Sequence, residues 1–524
     1  MIDGSMLIGT RTVRGSGPAF QAVDPATGES LAPEYREASL EEVELACRLA
    51  AKAFPVFRRT TLGDRAAFLE RIGDAIDREG DTLVDRVVAE TRIPRARAVG
   101  ELARTTGQLR FFARIVRQGD WLEATIDQAA PERVPLPRPD IRQRHIPVGP
   151  VAVFGAGNFP LAFSVAGGDT ASALAAGCPV VVKAHSAHPG TAEIVGRAIL
   201  AAAAEAGMPE GVFSMLLGSG STIGTALVSD PRVASVGFTG SRTGGLALQR
   251  VAAARPVPIP VFAEMSSVNP VFLLPAALAS RPAELARGFV ASLGLSAGQL
   301  CTNPGLLIVV NDPAVAELMR AIEVGLRSSE GRPMLTAGIA AAYREGVQTH
   351  RARPGVGLVA EGPVEAGVRN AESPVVLRTD AATFLKDPVL SSEIFGAAST
   401  LVVCRDVDEL RAVAEALEGQ LTASIHFDPD DLRLVQALVP VLEQRCGRIV
   451  FDGWPTGVEV VDAMVHGGPF PATTDGRSTS VGALAIRRFL RPIAYQNAPA
   501  ALLPRELADA NELGLRRRVD GVLR

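Results

Sequence analysis

The stretch VAVFGAGNFPLAF, residues 151–163, joins an apolar, strand-like run to a Gly-x-Gly turn at Gly155 and Gly157. A strand that ends in such a turn is typical of an α/β sheet that binds a nucleotide. The dinucleotide fingerprint would have a third glycine three residues after Gly157, but Pro160 stands there. The stretch therefore predicts a strand of an α/β sheet, followed by a loop that departs from the dinucleotide pattern.

Strands and helices continue to alternate on the C-terminal side of this stretch. Apolar runs such as PVVVKA (179–184) and ASVGFTG (234–240) are separated by helical segments such as TAEIVGRAILAAAAEAG (191–207). Continuous apolar strands between helices are typical of a parallel sheet that is covered on both faces. A second alternating region runs from PVFAEM (260–265) to about residue 465. We therefore predict an α/β fold with two doubly wound lobes of parallel sheet.

The remaining segments flank these two lobes. Apolar positions at helical spacing predict helices over residues 39–58, 61–92 and 96–119. Residues 121–145 are broken by prolines and predict an exposed hairpin, with which a strand in 482–497 is expected to pair. The charged tail, residues 503–524, is interpreted as a surface helix.

Composition excludes several classes of protein. The chain has 524 residues, of which 47% are hydrophobic and 21% charged, as is typical of a globular enzyme with more than one domain. The formal net charge of −4 and the shortness of the basic clusters predict no nucleic-acid partner. No stretch reaches the ~18 apolar residues of a membrane span, so no membrane partner is expected. The N-terminal residues predict neither a signal peptide nor a transit peptide.

The cysteines are scattered along the chain and odd in number. The five are Cys47, Cys178, Cys301, Cys404 and Cys446. Because they lack CxxC spacing, they favour neither a disulfide framework nor a zinc site, and they indicate a reducing compartment. The six histidines are scattered too. We therefore predict no metal site and a cytoplasmic protein.

Cys301 and Glu264 are the candidate catalytic pair. Cys301 lies in SLGLSAGQLCTNPG, among small and polar residues where a thiol can meet a ligand, whereas Cys178 and Cys404 stand beside valines. A single cysteine is by default buried and inert. Glu264 follows an apolar run in PVFAEM, where burial would raise its pKa and suit it to act as a general base. Each residue alone favours a structural role, and only together do they indicate catalysis.

Three further features are weak signals when taken singly. ASVGFTGSRTGG (234–245) predicts a strand, a turn at Gly240 and Ser241, and a helix whose first N–H groups can meet an anion. Lys183 closes a predicted strand, either at the ligand-binding edge of the sheet or as a surface lysine. Glu393, in SSEIFGAAS, indicates little by itself.

Taken in chain order, these pieces resemble the aldehyde dehydrogenase superfamily. The motifs GNFP, VVK, FTGS, the glutamate at 264, GQLC and EIFG follow the family's order over residues 150–400. The segments VKAHSAHPGT (182–191) and GGPFPATTDGRSTSVGALAIRRFLRPIAYQN (467–497) look like the branch that contains the α-ketoglutaric semialdehyde (2,5-dioxovalerate) dehydrogenases. The resemblance implies the aldehyde dehydrogenase-like α/β fold, with two parallel-sheet lobes and a small oligomerisation sheet.

The resemblance also implies a division into domains. Residues 1–120 and 146–260 would form a cofactor-binding domain, and residues 261–465 a catalytic domain. The oligomerisation and bridging segments would be 121–145 and 466–500, followed by a C-terminal tail over 501–524. A homodimer or homotetramer is expected, since the small sheet would otherwise leave exposed strand edges.

The mechanism implied by the resemblance is nucleophilic. The Cys301 thiolate would attack the aldehyde carbon, and the Asn158 amide together with the Cys301 N–H would bind the oxyanion of the thiohemiacetal. Loss of hydride to NAD(P) would leave a thioester, which Glu264 would hydrolyse by activating water. Pro160 would suit the first turn of a helix at this position. The expected reaction is the oxidation of 2,5-dioxovalerate to 2-oxoglutarate.

The resemblance assigns the cofactor contacts residue by residue. Lys183 would contact the adenosine ribose, and Ser241, in the Gly240 turn, the pyrophosphate. Glu393 would hold the nicotinamide ribose, with Phe395 beside it.

Two positions depart from the family pattern. Ser186 stands where relatives that prefer NAD often carry a glutamate that repels a 2′-phosphate, so NADP is expected to be accepted and preferred, without excluding NAD. Ser266 stands where relatives commonly have glycine, which brings the rate of deacylation into question.

The substrate is expected to be a small aldehyde that carries a carboxylate at its far end. Phe159, Phe163 and Phe470 are the candidate pocket residues, with core packing as the alternative for Phe163. A broad NADP-linked dehydrogenase of aliphatic or fatty aldehydes remains the main alternative. A CoA-acylating enzyme and a catalytically silent binding protein of the same fold are weaker alternatives, because Glu264 and Cys301 are both present.

Overall fold

The computed structural model describes residues 2–524. Over these residues the chain forms 14 α-helices and 21 β-strands. The strands are β1 (Met6–Ile8), β2 (Arg11–Val13), β3 (Ala19–Val23), β4 (Ser30–Arg36), β5 (Thr125–Asp127), β6 (Ile141–Pro147), β7 (Val151–Phe154), β8 (Val180–Lys183), β9 (Phe213–Leu216), β10 (Ser235–Thr239), β11 (Val261–Glu264), β12 (Pro270–Leu273), β13 (Leu306–Val310), β14 (Gly357–Glu361), β15 (Val375–Asp380), β16 (Ala398–Cys404), β17 (Gln420–His426), β18 (Cys446–Phe451), β19 (Leu490–Gln496), β20 (Arg518–Val519) and β21 (Val522–Leu523). The helices are α1 (Leu40–Phe57), α2 (Leu62–Thr91), α3 (Arg95–Gln118), α4 (Gly168–Ala176), α5 (Pro189–Glu205), α6 (Thr225–Ser229), α7 (Arg242–Ala253), α8 (Pro275–Ser280), α9 (Pro282–Gly294), α10 (Pro313–Arg327), α11 (Ala337–Arg351), α12 (Ala381–Lys386), α13 (Val407–Ala416) and α14 (Leu432–Glu443).

The three N-terminal helices α1, α2 and α3 form where the apolar spacing predicts them. Ser39 caps α1 by accepting the Glu42 N–H, and the Glu42 carboxylate accepts the Ser39 N–H in return. This reciprocal pair is a capping box. Thr61 caps α2 by accepting the Asp64 N–H. The helical interpretation of residues 39–119 is confirmed.

The first large sheet has the strand order β11-β10-β7-β8-β9-β1-β2. The five strands from β11 to β9 are parallel, and β1 adds to them in the antiparallel sense. β7 and β9 are buried along their whole length, as the continuous apolar runs predict for a sheet covered on both faces. The short strands β1 and β2 were not predicted, because the first hundred residues are dominated by helical periodicity.

The second large sheet has the order β14-β15-β16-β13-β12-β17-β18 and is parallel except at β14. Successive residues of β12 enter different cores, since Phe272 packs in one apolar cluster and Val271 and Leu273 pack in another. This alternation covers both faces of the sheet. The predicted doubly wound α/β class is therefore present in two separate sheets.

The predicted start of the second lobe at residue 261 is wrong by one strand. β11 pairs in parallel with β10, with Val236 opposite Val261, so it is the edge strand of the first sheet. The chain leaves that sheet only after Glu264. The apolar run at 260–265 identified a strand correctly, but a run alone does not say which neighbour the strand pairs with.

The third sheet has the order β19-β6-β5-β20-β21. The predicted pairing of the 121–145 hairpin with a strand in 482–497 is confirmed, because β19 pairs with β6 along seven residues. Only the second half of that segment is a strand, since residues 483–489 form a 3₁₀-helix.

The tail over 503–524 is not the predicted surface helix. It forms short 3₁₀ turns and the strands β20 and β21, which extend the third sheet. A helix cannot run through this segment, because four of its residues have positive φ: Asn511, Gly514, Asp520 and Gly521. The arginine-rich composition of the tail had favoured a helix. None of the described helices is long and apolar enough to cross a membrane.

Candidate active site

The strands β7, β10 and β11 end side by side at one edge of the first sheet. Phe154 pairs with Phe238, and Thr239 pairs with Glu264, which sets the three carboxyl ends in register. Open parallel sheets bind ligands at this edge. Asn158 follows β7 in the chain and Glu264 ends β11, so both candidate catalytic residues belong to this edge.

Cys301 lies in the loop between α9 and β13, on the wall of a cavity of about 1520 Å³. Its side chain is half-buried, whereas the other four cysteines are buried. Asn269 anchors the loop, because its side-chain amide donates to the carbonyl oxygens of Cys301 and Asn303, each at 2.9 Å. The cysteine with the small and polar neighbours in the sequence is thus the one that meets the cavity.

Glu264, Cys301 and His466 form one polar cluster. His466 Nε2 lies 2.8 Å from Glu264 Oε1 and 3.3 Å from Cys301 Sγ. Ser480 Oγ donates to the other oxygen of Glu264, Oε2, at 2.6 Å. Potential ligand atoms of the three cluster residues all lie within 4.8 Å of one another, close enough to hold a metal ion. The prediction of no metal site rested on scatter along the sequence, and the fold brings a cysteine and a histidine together despite that scatter.

Charges in this cluster oppose the ionisation of the thiol. Burial and the neighbouring carboxylate of Glu264 hold the pKa of Cys301 well above its ordinary value, although the charge of Arg104 acts in the opposite direction. The Cys301 thiol is therefore protonated at neutral pH. A neighbouring group must accept its proton before the sulfur can attack.

The expectation that burial raises the pKa of Glu264 is wrong. Burial does act in that direction, but the charge of His466 and hydrogen bonds from His466, Ser480 and Cys301 outweigh it. The pKa of the Glu264 carboxyl consequently lies below its ordinary value. The group is a carboxylate at neutral pH, already in the form that a general base needs.

Asn158 lies against the backbone of the Cys301 loop. Its side-chain Nδ2 donates to the carbonyl oxygen of Gln299 at 2.9 Å, two residues before the cysteine. The backbone oxygen of Asn158 accepts from Arg97 at 2.8 Å. An amide NH₂ group has two hydrogens, so one N–H remains for a second acceptor.

The predicted cofactor residues of the first sheet lie near its carboxyl edge. Lys183 ends β8 opposite Phe154, and Ser186 is exposed in the loop that follows. Burial lowers the pKa of Lys183 to about 8. Ser241 caps α7 by accepting the Gly244 N–H at 3.2 Å, which confirms the predicted strand, turn and helix. A Cβ at Gly240 would lie 2.8 Å from the ring of Phe238, so the turn has no room for a side chain.

Glu393 and Phe395 line a second cavity, which is smaller than the cavity that Cys301 lines. Burial raises the pKa of Glu393 to about 8, with only the backbone N–H of Ser267 acting against the shift. Leu300, the residue before Cys301, lines both cavities, so the two sites are neighbours.

Phe159 and Phe163 lie on the wall of the cavity that contains Cys301. Their rings meet edge to face with centroids 5.2 Å apart. They were expected on a helix that begins near Pro160, but residues 160–167 form turns and α4 begins only at Gly168. Two features account for the late start of α4. Residues 167 and 168 are both glycine, and the chain first returns close to the end of β7, where the Ala156 N–H donates to the Phe163 carbonyl.

Phe470 does not belong to this wall. Its side chain is 57% exposed, and the guanidinium of Arg242 lies 5.7 Å from the centre of its ring. The prediction of Phe470 as a pocket residue was based on the family resemblance of the GGPFP segment, and the structure places the ring on the surface.

Comparison with known proteins places this site in a family. Residues 12–468 match the aldehyde dehydrogenase family. The chain belongs to the aldehyde dehydrogenase family. It is 55% identical over 522 residues, 99% of both chains, to the alpha-ketoglutaric semialdehyde dehydrogenase 2 of Azospirillum brasilense. It is 45% identical, again over 522 residues and 99% of both chains, to the alpha-ketoglutaric semialdehyde dehydrogenase of Acinetobacter baylyi.

A solved structure supports the fold assignment. The 1-pyrroline-5-carboxylate dehydrogenase from Thermus with bound NAD is 21% identical and superimposes with a TM-score of 0.81, over 94% of this chain and 92% of that chain. The resemblance to aldehyde dehydrogenases and the predicted fold class are confirmed.

Sequence reasoning missed several residues of the aldehyde dehydrogenase site. His466 immediately precedes the GGPFP segment that carried part of the resemblance, but nothing in the sequence places it against Glu264. Ser480 lies within that segment and gave no signal of its own. The distinguishing feature of Asn269 is its positive φ of 44°, which the sequence does not reveal. Arg104 was hidden among many arginines of the N-terminal helices.

Proposed function

We propose that this chain oxidises 2,5-dioxovalerate, the semialdehyde of 2-oxoglutarate, to 2-oxoglutarate with NAD(P) as the hydride acceptor. The observation that carries the proposal is the half-buried Cys301 on a large cavity, with Glu264 and His466 in contact behind it. The choice of substrate is supported by two relatives of that name that match over 99% of their length. The balanced reaction converts aldehyde, water and oxidised cofactor to carboxylic acid, reduced cofactor and a proton.

The first step requires a thiolate at Cys301. We assign the thiol proton to the pair of His466 and Glu264, since His466 Nε2 is 3.3 Å from Sγ and the Glu264 carboxylate lies ready to stabilise the imidazolium. The thiolate attacks the aldehyde carbon, and negative charge develops on the former carbonyl oxygen. The free N–H of Asn158 and the backbone N–H of Cys301 are the donors assigned to that oxyanion.

The residues at the sheet edge fit a dinucleotide. Gly240 leaves the turn without a side chain, and Ser241 begins α7, whose N-terminal N–H groups suit a phosphate. Lys183 and Glu393 are assigned to the two riboses, with Phe395 beside Glu393. NAD(P) held by these residues would supply the hydride acceptor for the oxidation of the aldehyde.

Glu264 is assigned to the second half of the reaction. Its Oε2 is held by Ser480, which leaves Oε1 for His466 or a water molecule near the Cys301 thioester. As a carboxylate it takes a proton from that water, which attacks the acyl carbon and releases the acid together with the thiol.

We also propose roles for larger segments. The first sheet, which extends to Glu264, would bind the cofactor, and the second sheet would support the loop of Cys301. The outer edge of β19 is unpaired within the described chain, and a second copy adding there would give the homodimer or homotetramer. The five free cysteines suit a reducing cytoplasm.

The substrate assignment predicts strong discrimination against neutral aldehydes. For the purified protein we expect kcat/KM for 2,5-dioxovalerate to exceed that for hexanal by more than ~100-fold, about 2.7 kcal/mol of transition-state stabilisation. The measurement is the initial rate of NAD(P) reduction, with succinic semialdehyde as a shorter acidic control. A preference for hexanal would instead identify the broad aliphatic enzyme and would overturn the substrate assignment.

The cofactor assignment predicts a pH-dependent preference. Ser186 offers no charge that repels a 2′-phosphate, so NADP is expected to bind at least as tightly as NAD at pH 7. Lys183, with a pKa of about 8, is a cation at pH 7 and loses its charge as the pH rises through 8. The ratio of Kd for NADP to Kd for NAD should therefore rise about tenfold between pH 7 and pH 9.

Fluorescence titration of each cofactor at pH 7, 8 and 9 measures this ratio. Glu393, with a pKa of about 8, titrates over the same range but is assigned to a ribose common to both cofactors, so its effect cancels in the ratio. A ratio that does not change with pH would show that Lys183 does not face the 2′-phosphate.

A further inference from the structure

Arg104 is a half-buried cation on the wall of the Cys301 cavity, and its buried donor atoms have no partner. It lies on α3, and its guanidinium is 5.3 Å from the ring centre of Phe163, another residue of that wall. Its Nε and Nη2 atoms are buried and have no hydrogen-bond partner among residues 2–524. No carboxylate of those residues lies within ion-pair distance of it. Buried guanidinium groups are ordinarily paired, because an unpaired charge is costly to desolvate.

Arg97, two helical turns earlier on the same helix, shows the contrast. It also lines the cavity, and its guanidinium lies over Phe159 as that of Arg104 lies over Phe163. Arg97 is nevertheless occupied, because it donates to the Asn158 carbonyl at 2.8 Å and lies 4.0 Å from Glu101. Arg97 therefore has a structural use that Arg104 lacks.

The other arginines of the cavity lie at its exposed mouth. Arg287, Arg320 and Arg332 are exposed side chains. Exposed guanidinium groups are hydrated and gain little from a single ion pair. Arg104 is thus the cation of this cavity that combines buried donors without partners with proximity to Cys301, on whose thiol its charge acts.

A second unpaired donor lies on the same wall. Ser296 is five residues before Cys301, and its Oγ is buried without a partner. Ser296 and Ala297 both have left-handed backbone conformations, with φ of 58° and 56°. Such conformations are strained for residues other than glycine and persist where the surroundings impose them, often at ligand sites. The loop thus holds a free hydroxyl on the wall of the same cavity as the nucleophile.

We propose that Arg104, assisted by the hydroxyl of Ser296, binds the remote carboxylate of the substrate while its aldehyde carbon faces Cys301. This proposal rests on the proposed function, for which it supplies the residue that selects an acidic aldehyde. A guanidinium presents parallel N–H donors that match a carboxylate, and two free donors are already in place. A neutral aldehyde would leave those donors unpaired, which disfavours its binding.

The test compares 2,5-dioxovalerate with hexanal in matched variants. In Arg104→Met, kcat/KM for 2,5-dioxovalerate should fall about 100-fold or more, mainly through KM, while that for hexanal stays the same or rises. Arg104→Lys, which keeps the charge but not the fork, should recover part of the loss. Ser296→Ala should lower the 2,5-dioxovalerate value about tenfold. Arg320→Met, at the exposed mouth, is the matched control and should change neither substrate.

The outcomes separate the two proposals. If the wild-type protein prefers hexanal, the proposed substrate is wrong and the role of Arg104 falls with it. If the wild-type protein prefers 2,5-dioxovalerate but Arg104→Met keeps that preference, the role of Arg104 alone is overturned. Equal losses on both substrates in the Met and Lys variants would likewise overturn it, since they would indicate a structural role.

Discussion

Replacing Cys301 with alanine is expected to lower kcat for aldehyde oxidation on the order of 10⁴-fold or more. The variant keeps the cavity, the oxyanion donors and the cofactor residues but has no nucleophile, so neither the thiohemiacetal nor the thioester can form. The measurement is the initial rate of NAD(P) reduction at saturating 2,5-dioxovalerate, together with the Kd of each cofactor, which should not change.

Cys446→Ala is the matched control for this loss. Cys446 is a buried free cysteine whose thiol donates to the Leu442 carbonyl at 3.2 Å, away from the Cys301 cavity. The control should retain the activity of the wild-type protein. A Cys301→Ala variant that kept more than about one hundredth of the wild-type kcat would contradict covalent catalysis at this residue.

The second large effect is expected at Glu264. In Glu264→Gln the steady-state rate should fall about 10²- to 10³-fold, because an amide cannot take a proton from the hydrolytic water. The first turnover should survive, since His466 remains to accept the thiol proton and hydride leaves before water is needed. Rapid-mixing absorbance should therefore show a burst of reduced cofactor equal to the concentration of enzyme sites, followed by very slow turnover.

A His466→Gln variant separates the two duties of the cluster. His466 Nε2 lies 3.3 Å from Cys301 Sγ and 2.8 Å from Glu264 Oε1. Its loss should therefore slow the burst itself and raise the pH at which the burst reaches half its maximal rate. If Glu264→Gln showed no burst while His466→Gln kept a fast one, Glu264 would be the base for the thiol and the role of His466 in that step would be overturned.

The parts of the fold that follow from local patterns were predictable. The helices α1 to α3 and most of the parallel strands of both large sheets were identified from apolar patterns, because both faces of these sheets are buried. The pairing of the strands was harder to predict. The sequence of β11 indicates a strand, but its pairing with β10 depends on the path of the chain. The tail failed for a related reason, because backbone conformations at Asn511 and Asp520 override the helical preference of its charged residues.

The site divides in the same way. Cys301, Glu264 and Asn158 were identified from motifs in chain order, and the fold places Glu264 beside Cys301 and Asn158 against the loop that carries it. His466 was missed because its contacts with Glu264 and Cys301 join residues that are far apart in the sequence. Arg104 was missed because the sequence does not show that its donors lack partners. The pKa of Glu264 was predicted in the wrong direction for the same reason, since burial was visible in the apolar run but the three hydrogen-bonding neighbours were not.

The most direct test of the account is to look for the acyl group itself. Glu264→Gln is mixed with 2,5-dioxovalerate and NADP, quenched in acid during the burst, and analysed by mass spectrometry of the whole protein and of the peptide that contains Cys301. The account predicts one adduct per chain on that cysteine, with a mass equal to the substrate less two hydrogen atoms. Reduced cofactor formed without an adduct, or an adduct on another residue, would contradict it.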